Sequence, residues 1–289
     1  MQKLFGVFII IACVVGGFIH SGGRISSFWQ PGEIIIIIGA AIGSMVLANP
    51  RPILVEMWRQ FCGILRKDEH THEYQRQLLM LLYQLLELVQ DGGLKALDEH
   101  IEQPDNSPLF QNYPLLLGDK SLTTFISDNF RLMAMGKINE HEFEGILEQE
   151  LVAIEENLLQ PSRSLHRTSE AMPGFGICAA VLGIIITMQS IDGSIAVIGV
   201  KVAAALVGTF LGVFFCYCFM DPVANAMHQR TKKKIAILEC VRTVLVNQVA
   251  GKPTLLAVDA GRKMLPMDTK PTFATLEGWV NQMAGTSDA

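Results

Sequence analysis

The sequence predicts an all-α fold: a polytopic membrane protein with four transmembrane helices and a helical cytoplasmic domain. Three observations lead to it. Half of the 289 residues are apolar and only 18% are charged, whereas about a quarter of a soluble domain is charged. The apolar residues gather in four long runs, at 4–19, 34–48, 172–188 and 202–220. Each reaches or approaches the roughly 20 residues a helix needs to cross the hydrocarbon core. Lysine and arginine also crowd one side of those runs. The runs are continuous and lack the alternation of barrel strands, so helices satisfy their backbone in lipid.

The first run, LFGVFIIIACVVGGFI, follows Lys3 and contains Gly16 and Gly17. That outline resembles a signal peptide, but no clean small-residue cleavage site follows, so the run is expected to be retained as the first span. Residues 20–33 read as a short loop to the second run, which opens on five consecutive isoleucines. At 73–90, Leu78, Leu82, Leu85 and Leu86 recur at helical spacing, and Gly92 and Gly93 should stop that helix. A short helix is expected at 94–102, before Pro104. A loop is expected at 105–120, which holds Pro108, Pro114 and Gly118. Another helix is expected at 121–135, closed by Gly136, then an acidic periodic helix at 140–160. Pro161 is expected to open the helix leading into the third span. Residues 223–249 read as a basic helix that continues the fourth span into the cytoplasm. The expected organisation is therefore a transmembrane hairpin at 1–50, a cytoplasmic helical domain at 51–170, a second hairpin at 171–222 and a cytoplasmic helical tail at 223–289.

Charge sets the orientation. Lys3, Arg51, Arg59, Arg66, Lys67, Arg163, Arg167, Arg230 and Lys232–Lys234 fall on one side, and only Arg24 and Lys201 on the other. The positive side is cytoplasmic, which places both termini inside. The six cysteines then lie in membrane helices or the reducing interior, and no disulfide framework is implied. A net charge of -5 leaves no nucleic-acid footprint. Lys232–Lys234 can meet anionic lipid, although positive-inside topology accounts for them equally well.

No Asp, Glu, Lys or Arg lies near the centre of any span, so the chain alone has no obvious proton relay. It does have small-residue faces. Ala204, Gly208 and Gly212 recur every four residues, as do Gly176 and Ala180, and Ala179 and Gly183. Such faces let helix backbones approach closely, either within the chain or against a foreign helix. Thr209 is the hydroxyl well inside the fourth span, where it can bond back to its own helix or stand beside an ion carrier. Pro173 and Pro222, at the cytoplasmic ends of the third and fourth spans, permit a kink or hinge. His70, His72 and Glu73 suit a solvated turn better than a metal site. His141-Glu142 lacks the second histidine of a zinc-protease helix. No catalytic constellation, metal site or cofactor motif is recognised, so the chain is not expected to be an enzyme.

Three stretches carry a specific likeness: 171–183, AMPGFGICAAVLG; 203–222, AAALVGTFLGVFFCYCFMDP; and 257–273, AVDAGRKMLPMDTKPTF. Over essentially its full length the chain resembles the MotA family, the larger stator subunits of the bacterial flagellar motor. The resemblance implies a pentameric ring in the inner membrane around MotB-like single-span helices, whose membrane Asp takes up the ion. It implies torque on the rotor protein FliG. It also implies coupling through Pro173 and Pro222, with Thr209 facing the partner's carboxylate and Gly176, Ala180, Ala204, Gly208 and Gly212 along the ion path or partner helix. Sodium-type members carry hydroxyls where this chain has Ala180 and Gly208, so the transported ion is expected to be H⁺ rather than Na⁺. At the family's rotor-contact positions this chain has Gln90 in place of a base and Asp98 with Glu99 beside it; Lys95 or Arg76 can supply the missing charge. An ExbB- or TolQ-like proton motor subunit and a passive membrane scaffold are the competing readings.

Overall fold

The structure, a computed structural model, describes residues 2–64, 71–136, 138–189 and 194–287, without the side chains of 2–4 and 284–287. Arg66, Lys67 and His70, invoked above for orientation and for a turn, lie outside the described residues, as does the Lys3 side chain. The fold is all-helical, and no strand occurs among the described residues. The helices are α1 (Gln2–His20), α2 (Pro31–Ala48), α3 (Arg51–Ile64), α4 (His72–Gly92), α5 (Asp98–Glu102), α6 (Pro108–Gln111), α7 (Pro114–Leu117), α8 (Lys120–Ala134), α9 (Glu140–Met188), α10 (Ile195–Phe215), α11 (Asp221–Val249), α12 (Thr254–Arg262) and α13 (Phe273–Ser287). Three stretches are long and apolar enough to cross a membrane: Pro31–Ala48, Glu140–Met188 and Ile195–Val249. Phe5–His20 is a shorter apolar helix.

The chain divides into two units that interleave in sequence, one made of residues 1–66 and 159–229, the other of 67–158 and 230–289. In the first, Ile37, Ala41, Met172, Ala179, Leu211 and Cys216 form an apolar core between α2, α9 and α10. A second cluster joins Met57 and Ile64 of α3 to Leu165, Ala224 and Met227. The α3 helix thus belongs with the apolar helices, although the sequence assigned its residues to the cytoplasmic domain. Many large side chains of α1, α2, α9 and α10 stay exposed, among them Phe8, Ile35, Ile186, Val200 and Leu206. Apolar exposure of that extent suits lipid, not water.

The second unit is built around α4. Thr71 caps its start by accepting the Tyr74 N–H (3.4 Å), and Gly93 ends it at φ 69°, a conformation glycine adopts without strain. Between them Leu78, Leu79, Leu81, Leu82, Leu85 and Leu86 are fully buried, each contributing on the order of 1.5–3 kcal/mol. They pack with Phe125, Ile126 and Phe130 of α8, Phe143 and Leu147 of α9, and Val241, Val244 and Leu245 of α11. Asp119 caps α8 by accepting the Leu122 N–H (3.3 Å), and it also accepts the Tyr74 hydroxyl (3.3 Å).

Three local expectations change. Residues 105–120 form a 3₁₀ turn and the one-turn helices α6 and α7 rather than plain loop, because each proline stands at a helix start, where its missing N–H is harmless. The α9 helix runs through Pro161 instead of starting there. Leu159, Ser162 and Leu165 are buried around it, so packing outweighs the one backbone bond that proline removes. The loop expected at 20–33 ends early: α2 begins at Pro31 and includes Glu33.

Candidate functional site

The site is the seam between α9 and α10. A Cβ added at Gly176 would lie 2.9 Å from the Gly208 carbonyl oxygen and 3.0 Å from Gly212 Cα. One added at Gly212 would lie 2.8 Å from both Gly176 Cα and the Met172 carbonyl oxygen. Backbone therefore rests on backbone, with Ala179 beside Gly208 and Gly183 beside Ala205. The structure brings Gly176, Gly208 and Gly212 together within the chain, so the surface they were expected to offer a foreign helix is already occupied. Ala180, Ala204 and Thr209 sit one residue round their helices from this seam. Ala180 is buried, while Ala204 and Thr209 are half-buried. The Thr209 hydroxyl makes no hydrogen bond among the described residues; the side-chain bond back to its own helix does not form. Thr187 makes that kind of bond instead, to the Gly183 carbonyl (2.8 Å).

A carboxyl enters the same seam. Glu33, in the first turn of α2, is 9% exposed. Its Oε2 stands 2.6 Å from where a Gly208 Cβ would be, and its Oε1 stands 2.9 Å from a Gly183 Cβ. Oε2 is buried and has no hydrogen-bond partner. Gly208 lies midway along the helical stretch Ile195–Met220, about 18–20 Å from either end at a rise of ~1.5 Å per residue. No Asp, Glu, Lys or Arg lies near the centre of its own span, yet packing sets this carboxyl beside the middle of a neighbouring helix. Glu33 is at the end of its own helix but beside the middle of α10, which starts at Ile195, ahead of the apolar run at 202. The available signal was Pro31-Gly32-Glu33: proline at a helix's first position and an acid in its first turn mark a helix start.

The two prolines occupy different settings. Pro173 is half-buried inside α9, and Pro222 is exposed in the first turn of α11. A π-helical turn, Cys216–Met220, precedes Pro222 and joins α10 to α11. A proline cannot donate to the carbonyl four residues back and its ring clashes there, and one wider turn absorbs both defects. Close by, His166 Nδ1 lies 2.7 Å from Asp221 Oδ1 and His166 Nε2 lies 3.5 Å from Glu170 Oε1.

In the second unit Gln90, Lys95, Asp98 and Glu99 are all exposed. Gln90 lies in the last turn of α4, Lys95 lies in the 3₁₀ turn Leu94–Leu97, and Asp98 and Glu99 open α5. None of these four side chains has a hydrogen bond or ion pair among the described residues. Arg76 is engaged elsewhere, 6.0 Å above the Trp279 ring and 3.4 Å from Glu73, in a cleft of about 410 Å³ that also holds Tyr113. Burial pushes the Tyr113 phenol up to about 12, against a pull downward from Arg76.

The tail stretch 257–273 is a structural clamp. Arg262 donates from Nε to Asp259 Oδ1 (2.7 Å) and from Nη1 to the Pro271 carbonyl (2.8 Å), while Lys263 Nζ is 2.9 Å from Asp259 Oδ2. Burial opposes the Asp259 carboxylate most strongly, but the hydrogen bonds from Lys263 and Arg262 together outweigh it and hold the carboxyl below its usual range. Gly261 presses on Cys240 and Val244 of α11.

An all-helical chain with long apolar helices and a close-packed glycine seam defines a class of membrane protein, and sequence comparison gives its family. A family model described as Motility protein A N-terminal matches residues 4–93. A second, the MotA/TolQ/ExbB proton channel family, matches 119–240. The chain belongs to the MotA family of stator subunits within that proton channel family. It is 55% identical to the chemotaxis protein LafT of Vibrio parahaemolyticus, over 99% of this chain and 100% of that one. It is 32% identical to motility protein A of Salmonella typhimurium over the whole of both chains. Its fold matches chains of the MotAB structures from C. jejuni (TM-score 0.73, 15% identity, 92% of this chain and 96% of that chain) and Bacillus subtilis (TM-score 0.70, 20% identity, 93% and 98%).

Proposed function

We propose that this MotA-family chain forms a proton-conducting complex with a MotB-like single-span partner that brings a membrane Asp, and that the complex turns ion flow into torque on the rotor protein FliG. The observation that carries the reading is family membership along the full length, including 55% identity to LafT over 99% of the chain. In this reading α1, α2, the end of α9 and α10 are four spans of the bacterial inner membrane, with both termini cytoplasmic. The exposed Trp29 and Trp58 fit the two membrane–water boundaries, where indole rings are favoured. Thr209 and Ala204, both half-buried, face the partner helix beside the glycine seam, where Ala180 is already covered within the chain, and five copies form the ring. Pro173, Pro222 and the π-helical turn form the flexible link by which changes at the ion site reach the cytoplasmic side.

The ion is H⁺. Sodium needs several oxygen ligands, and Ala180 and Gly208 offer no side-chain oxygen; a proton needs a carboxyl and a path. The rotor surface comprises Gln90, Lys95, Asp98 and Glu99. Lys95 supplies the base, since Arg76 is held against Trp279 and Glu73. Charge on such a surface orients docking and speeds it more than it sets affinity.

The experiment is swimming speed in stator-less cells given this chain and its Asp-bearing partner, with sodium varied at fixed pH and ionic strength. Speed independent of sodium is expected; speed rising with sodium refutes the proton assignment. Absence of motility, with both proteins in the membrane and a compatible rotor present, refutes the stator assignment. Labelling of native Cys62 from outside intact cells refutes the topology.

A further inference from the structure

Glu33 is a buried carboxyl that nothing in the mechanism above uses; Asp259, the other one among the described residues, is already paired with Arg262 and Lys263. Glu33 is nine-tenths buried, it points into the seam between α9 and α10, and its Oε2 has no hydrogen-bond partner. Two glycines make its place. Gly183 and Gly208 lack the Cβ atoms that would stand 2.9 Å from Oε1 and 2.6 Å from Oε2. Thr209, with its free hydroxyl, follows Gly208 directly. The charged groups on the elements around it are Lys201, one turn before Ala205 on the same face of α10, His20 at the end of α1, and Arg24 after it. None of them bonds to Oε2. Asp192 lies outside the described residues. A bare carboxylate in so apolar a setting is relieved only by a proton or a cation.

We propose that Glu33 is a proton-carrying group of the ion path, placed by the Gly183–Gly208 notch between the outer side and the partner's membrane carboxylate. The ionised carboxylate takes a proton from a hydronium ion arriving from outside and releases water. It then passes that proton, directly or through water, to the partner's carboxylate and becomes ionised again. No bond other than O–H forms or breaks, and the net event is movement of one proton inward. The proposal rests on the proton-driven stator reading.

The test expresses wild type, Glu33→Gln, Glu33→Asp and Gly208→Ala with the Asp-bearing partner in stator-less cells. Swimming speed is measured against external pH, and fluorescently tagged stators at motors report assembly independently of activity. Glu33→Gln keeps the shape and loses the titrating group. It is expected to assemble normally, swim several-fold slower and respond less to external pH. Glu33→Asp restores the response with a displaced midpoint. Gly208→Ala puts a methyl group 2.6 Å from Oε2, forces the carboxyl to shift and displaces the midpoint as well. Wild-type speed and pH profile in assembled Glu33→Gln overturn the proposal. If Glu33→Gln does not assemble, Glu33→Asp decides: an unchanged midpoint overturns the proposal and a displaced one supports it. A wild type that responds to sodium and not to pH, or does not drive motility at all, refutes the underlying reading instead.

Discussion

Gly212 has no room for a side chain. A Cβ there meets the Gly176 Cα and the Met172 carbonyl oxygen at 2.8 Å, and backbone atoms cannot rotate away. Gly212→Ala is therefore expected to force α9 and α10 apart at about 1–3 kcal/mol. Thermal unfolding in detergent should show the loss, while Gly199→Ala, which meets nothing within 4 Å, should leave the transition unchanged. Lys95 is tested by charge reversal: Lys95→Glu is expected to slow swimming several-fold with stator assembly intact, whereas Arg76→Gln should disturb the Trp279 cleft and stability first. Asp259 sets an acid limit. Its carboxyl is held below the usual range in the folded state, so the contribution is complete above the unfolded value near 3.9 and is lost as pH falls through the folded value. Acid titration followed by circular dichroism should show the wild type losing stability below about pH 4. In Asp259→Asn that component should be absent, and stability should already be lower at neutral pH.

At the scale of an element, the join between α10 and α11 is decided by one residue. Pro222 cannot donate to the Cys218 carbonyl, and the π-helical turn Cys216–Met220 accommodates it. Pro222→Ala restores the donor and is expected to regularise the turn. Amide exchange across 216–222 should slow, and motility should fall while assembly persists. Slowed exchange together with full motility would refute the coupling role. The α8 helix depends on its cap in another way. Asp119 accepts the Leu122 N–H and the Tyr74 hydroxyl, and Lys234 Nζ lies 3.6 Å away. Asp119→Ala should destabilise the second unit by about 1–2 kcal/mol in a denaturant titration.

At the scale of the whole molecule, the core around α4 draws on both of its chain segments. Leu276 and Val280 of α13, with Val241, Val244 and Leu245 of α11, pack in the same cluster as Leu78 and Leu82. A fragment of residues 67–158 lacks those helices and is expected to give a poorly dispersed NMR spectrum. Adding the segment 230–289 should restore dispersion. Cys240, fully buried in that cluster with its thiol pushed well up by burial, offers a second readout. It should resist alkylation at neutral pH until the unit unfolds.

Residue type and spacing alone determined the all-helical class, the four apolar runs, α4 with its leucine stripe and glycine stop, and the family through three motif stretches. These properties are written in local order along the chain: periodicity, caps and hydropathy need no knowledge of which helix lies next to which. Tertiary structure decided the rest. Whether Gly176, Gly208 and Gly212 meet one another or a foreign helix depends on helix pairing, which small-residue spacing does not encode. Pro161 remained helical because its neighbours are buried, although the residue itself favours a break. Glu33 is at the end of α2 in sequence, yet it stands beside the middle of α10 because neighbouring helices start at different heights. A residue's depth is a property of the packed bundle, and only the packing placed a carboxyl between two glycines.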